Sequence, residues 1–100
     1  MKNYLNTNPS FKHMNEYNLI KKHILRKLVR QRIWMHKHTS IHNLSKGLPP
    51  SLKNKKEVKK VIGDLLNEEF LLSKPTSYGL EVSLSIKKKK EIEEFISKNL

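Results

Sequence analysis

Cysteine is absent from this chain of 100 residues, which removes disulfides, thiolate chemistry and cysteine-ligated zinc together. The fold must hold by packing alone. Acidic residues are scarce as well, 9 against 21 lysines and arginines. The resulting formal charge of +12 opposes compactness by self-repulsion and favours polyanionic partners. Nucleic acid is therefore the first partner to consider. Arginine is the scarce cation, present only as Arg26, Arg30 and Arg32. Lysine ammonium is a point charge suited to phosphate and poorly suited to paired reading of base edges, so backbone contact should outweigh sequence readout.

No apolar run approaches the roughly 20 residues that cross a bilayer. The first residues also lack the basic start and apolar core of a secretory signal, and the expected compartment is the cytoplasm. No paired-carboxylate spacing, glycine-rich phosphate loop or nucleophile elbow is present. The length suits one domain with a modest core rather than an elaborate catalytic cleft. The chain reads as a non-enzyme without a cofactor. His36, His38 and His42 lie close in sequence, but a metal needs three or four converging ligands, and these flank a predicted corner; no metal site is expected.

Along the chain, residues 1–15 carry scattered apolar positions without a period and read as a flexible arm. Residues 16–35 read as the central core helix, with Tyr17, Ile20, Ile24 and Leu28 in one stripe. Leu19, Val29, Ile33 and Trp34 lie on other faces, which calls for two neighbours. Lys22, Arg26 and Arg30 fall on the polar strip left between them; Arg26, Arg30 and Arg32 could touch the flank of a duplex, but a solvated face is the simpler reading. Residues 36–39 suit a very short strand. Ser40 reads as an N-cap for a short helix holding Ile41 and Leu44. Gly47 suits the left-handed residue that ends a helix, and Pro49 and Pro50 bar its continuation.

Residues 54–68 form the most informative stretch. At the helical 100° step, Val58, Val61, Ile62, Leu65 and Leu66 share one side, and Lys56, Lys59, Lys60, Gly63 and Asn67 the other. One face can be buried while the other meets something negative. Residues 70–74 then read as a strand, 75–79 as a turn, and Leu80, Val82 and Leu84 alternate with polar residues as a half-buried strand with one solvent face. Ile92, Phe95, Ile96 and Leu100 mark an amphipathic last helix over 87–100.

Four fragments carry a resemblance: His38-Thr39-Ser40-Ile41-x-Asn43-Leu44, Gly47-Leu48-Pro49, Lys56-Glu57-x-Lys59-Lys60-x-Ile62, and Lys74-Pro75-Thr76-x-Tyr78-Gly79-Leu80-Glu81-Val82-Ser83-Leu84. In this order and spacing, over about half of the chain, they resemble short archaeal winged-helix proteins, many of them functionally uncharacterised. The resemblance implies an α+β, mainly helical winged helix-turn-helix over residues 16–86, with a three-helix core, a β-hairpin wing and an extra C-terminal helix. It also implies DNA binding. One departure stands out: a glycine is expected before the first strand aromatic, and Glu69 precedes Phe70. A left-handed turn there costs a non-glycine residue roughly 1 kcal/mol, so Asn67 or a different exit from the helix is the expected solution.

On this reading Ser51, Lys53, Asn54, Lys55, Lys56, Lys59 and Lys60 face a major groove, with Asn54 the base-reading candidate and the lysines on phosphates. Lys74, Thr76, Ser77 and Tyr78 form the wing tip, where the plainer alternative is a structural turn with Tyr78 capping the core. The expected function is binding of double-stranded DNA as a transcriptional regulator, as a homodimer through the first and last helices. The alternative is a protein interaction module within a larger assembly.

Overall fold

The computed structural model describes the backbone of residues 9–98 and the side chains of residues 16–98. In chain order it contains α1 (Pro9–Arg30), β1 (Thr39–Ser40), 3-10 turns at Ile41–Asn43 and Pro50–Leu52, α2 (Lys55–Asn67), β2 (Leu71–Thr76) and β3 (Gly79–Leu84). A 3-10 turn at Ile86–Lys88 and α3 (Lys89–Lys98) complete it. The class is α+β and mainly helical, and no helix among the described residues is long and apolar enough to cross a membrane.

Helix α1 is the element around which the rest packs. The predicted stripe is real: Ile20, Ile24 and Leu28 are fully buried, and Leu25, which the stripe did not include, joins them. Each such side chain contributes about 1.5–3 kcal/mol on burial. The two neighbours that its apolar faces require are α2 and α3 of the same chain. Ile92 of α3 is fully buried, with Phe95 and Ile96 packed on the core. Among the described residues the stripes of α1 and α3 thus pack on one another within one chain, so these faces do not by themselves call for a second subunit.

The bounds of α1 differ from expectation at both ends. It begins at Pro9, whose fixed φ and missing N–H suit a first helical position, so residues 9–15 belong to the helix; the rest of the expected arm, 1–8, lies outside the described residues. It stops at Arg30 rather than at 35 because Arg32 turns left-handed, with φ +58°. The Ile33 N–H then donates to the Leu28 carbonyl, and the Arg32 N–H to that of Val29, each at 3.0 Å. That is a Schellman closure, completed by the buried pair Leu28 and Ile33. Beyond it Trp34 bridges to Leu84 and the 33–35 segment runs beside β3.

Helix α2 ends in the same way. Phe70 donates to the Leu65 carbonyl at 3.0 Å and Glu69 to that of Leu66 at 3.1 Å, with Glu69 itself at φ +62°. Glu69 therefore adopts the strained conformation directly, and Asn67 does not replace it. The buried face of α2 is Val58, Val61 and Leu65, as the pattern predicts.

The sheet has the order β1-β3-β2, all antiparallel. β1 is shorter than expected, starting three residues later and ending one later, and it pairs Thr39 with Val82 and Ser40 with Glu81. β2 runs on through Pro75 to Thr76, so the predicted five-residue turn shrinks to Ser77 and Tyr78. Proline is tolerated because β2 is an edge strand. Nor does β3 keep a solvent face at its end: Ser83 and Ser85 are buried along with Val82 and Leu84. β3 is central, flanked by β2 on one edge and by β1 and the 33–35 segment on the other. Alternation here marks polarity rather than exposure.

The short helix expected after Ser40 is a single 3-10 turn. Ser40 Oγ accepts from the His42 N–H at 3.2 Å, and Asn43 Nδ2 donates to Thr39 Oγ1 at 2.9 Å. These side-chain bonds hold the tighter turn. Leu44 anchors it in the core, and Gly47 takes φ +87°, the left-handed role expected of it.

Candidate nucleic-acid interface

Asn54 sets the start of α2. Its Oδ1 accepts from the N–H groups of Lys56 and Glu57, at 3.0 and 3.2 Å, satisfying two otherwise unpaired first-turn donors. Paired hydrogen bonding to adenine needs both ends of the amide. While the cap holds, only Nδ2 can give, so the expected base reading reduces to one donated bond.

From this cap the lysines divide by direction. Lys53, Lys55, Lys56, Lys59 and Lys60 are all exposed, as is Ser51. Lys53, Lys55 and Lys59 line a groove of about 550 Å³ between α2 and the Ile41–Asn43 turn, with His42 and Lys46 on its other side. Ile41, Val58 and Ile62 also line it, and no acid does among the described residues. Lys60 turns elsewhere, its Nζ 5.9 Å from the centre of the Tyr17 ring. Tyr17 is itself committed, its hydroxyl donating to the Asp64 carboxylate. Burial first, and then that bond, push the phenol well above its usual range.

The lysines at the start of α2 also oppose its macrodipole, since Lys55 and Lys56 occupy the positive end, with Glu57 the first-turn acid. An anion seated there relieves the conflict. Sequence reasoning missed His42 and Lys46. Both belong to the turn rather than to α2, and only folding brings them opposite the lysine face.

At the hairpin, Thr76 is occupied by the turn: its Oγ1 donates to the Gly79 carbonyl at 2.8 Å and accepts from the Tyr78 N–H at 3.2 Å. Gly79 at φ +123° supplies a backbone geometry that side chains resist. Tyr78 is 96% exposed, with Leu80 partly exposed beside it, so it caps no core. Lys74 and Ser77 are exposed, Lys74 standing opposite Glu81 in register.

A second basic groove, of about 540 Å³, lies between α1 and the 46–52 connector. Lys22, Arg26, Arg30 and Lys46 line it with no acid. Lys27 is folded inward, donating to the carbonyls of Asn43 at 2.5 Å and Lys46 at 2.9 Å; desolvation, then the Lys46 charge, lower its pKa. His23 is held below the usual imidazole range by burial, against a hydrogen bond to the Lys46 backbone and with the Lys27 and Arg30 charges adding to the lowering. Among the described residues no group of three metal-ligating side chains converges. No protein-family model, no curated protein and no solved structure matches this chain. Function must therefore be argued from the chemistry of the site.

Proposed function

We propose that the protein binds double-stranded DNA through the lysine face of α2, as a winged helix-turn-helix in which β2 and β3 are the wing, and that it acts as a transcriptional regulator. The observation that carries this is the groove beside α2. Lysines from three segments converge there, at Lys46, at Lys53, and at Lys55 and Lys59, with His42 beside them and no lining acid among the described residues to neutralise them. Its lysines favour phosphate over base edges. Strong attachment with modest sequence selectivity follows, the more so because Asn54 is engaged in capping. The exposed Tyr78 and Leu80 also suit an acidic protein partner, the competing reading.

Salt separates the two. With about five phosphates neutralised, log K for a duplex falls with log salt at a slope near −4 to −5, measured by anisotropy titration. Absence of duplex binding at low salt rejects the proposal. Undiminished binding after Lys56, Lys59 and Lys60 are changed together to Glu rejects the α2 assignment while leaving DNA binding intact.

A further inference from the structure

The groove between α1 and the 46–52 connector plays no part in the proposed α2 contact, yet it is built from the same chemistry. Lys22, Arg26 and Arg30 follow one another at intervals of four residues, about 6 Å of rise at each step. They form a stripe of three positive centres along one flank of α1. Like charges at this spacing repel one another along a helix, and no acid lines the groove to offset them. Two of the three arginines in the chain stand here, and the guanidinium fork matches two phosphate oxygens at once.

Two further features shape the groove. Lys27 spends its ammonium on the carbonyls of Asn43 and Lys46, which fixes the opposite wall against α1. His23 also lines the groove, beside Gly47. Lys46 lines this groove and the α2 groove alike, so the two basic surfaces adjoin across the connector.

We propose that the α1 groove seats a second stretch of nucleic-acid phosphodiester backbone, held by Arg26 and Arg30 with Lys22 and Lys46, next to the segment bound at α2. This rests on the DNA-binding reading above and extends its footprint across the connector. The duplex flank, rather than its groove edges, meets α1.

The test uses the full chain and a 20-base-pair duplex, with Arg26→Ala and Arg30→Ala combined. Both arginines are exposed, so the fold tolerates the change. The control combines Lys89→Ala and Lys90→Ala, which removes equal charge from exposed positions on α3. The arginine pair is expected to weaken binding at least about tenfold and to flatten the salt slope by about 2, two phosphates at roughly 0.9 each. The control changes affinity less than about threefold on long-range charge alone. Equal effects of the two pairs overturn the inference while leaving the α2 reading standing; a parent that binds no duplex removes both. A parallel arm follows the His23 ring resonances of the parent. Duplex shifts them, and inorganic phosphate at matched phosphate concentration leaves them in place. An equal shift by inorganic phosphate assigns the groove to small anions and overturns the proposal.

Discussion

Helices α1 and α2 treat their own dipoles in opposite ways. α1 places Lys27 and Arg30 in its last turn and Arg32 at its left-handed exit, all at the negative end, where cations stabilise. α2 carries Lys55 and Lys56 in its first turn, Glu68 at its C-cap and Glu69 at its left-handed exit, so these charges stand at the disfavoured ends. Both helices close with the same backbone geometry and bury comparable apolar stripes. The difference lies in what their charges serve: Lys27 in α1's last turn ties the connector to the helix, whereas the lysines of α2 face outward at some cost to the helix. Positions that give up stability without an internal gain are where function is to be sought.

Three experiments break or sharpen this contrast. Lys27→Met keeps the aliphatic stem but leaves two carbonyls without their charged donor. After allowance for partial exposure it should lower stability by about 2 kcal/mol in chemical denaturation; a change below about 0.5 kcal/mol would mean that the connector does not depend on α1. The joint change Lys55→Glu and Lys56→Glu should move the other way, raising stability by about 1 kcal/mol as the macrodipole is satisfied. The same variant should lose most duplex affinity, so opposite signs in melting and binding are the signature, and a destabilised variant would refute the dipole conflict. The smallest effect compares Glu69→Gly with Arg32→Gly. Each relieves a left-handed non-glycine residue by roughly 1 kcal/mol, but only the arginine gives up a favourable dipole contact, so the Glu69 change should stabilise more by a few tenths of a kcal/mol. Thermal melts of the pair resolve the order.

The parts of the fold legible in the sequence are those set by period. Ile20, Ile24 and Leu28 on α1, and Val58, Val61 and Leu65 on α2, announce buried faces because a helix repeats its side every three to four residues. The helix exits were not legible. Arg32 and Glu69 turn left-handed without the glycine that normally advertises such a corner, and the hydrogen bonds that compel them come from backbone groups, which leave no trace in composition. The site divides similarly. The exposed lysines of α2 follow from its amphipathic pattern, but the grooves do not, since each joins residues that only the tertiary fold sets face to face. Asn54 shows a further limit: its residue type suits base reading and helix capping equally, and only coordinates reveal that capping engages its oxygen. Gly63 is a quieter case. A Cβ there would meet open space among the described residues, so packing within the chain does not call for glycine at this position.

The inward turn of Lys27 has a mechanical consequence. Its ammonium grips two carbonyls of one turn, at Asn43 and Lys46, and the connector cannot swing from α1 without breaking both bonds together. The distance between the two grooves is therefore set by how this turn packs against α1. Their spacing is accordingly a ruler built into the unbound fold, in place before any partner arrives.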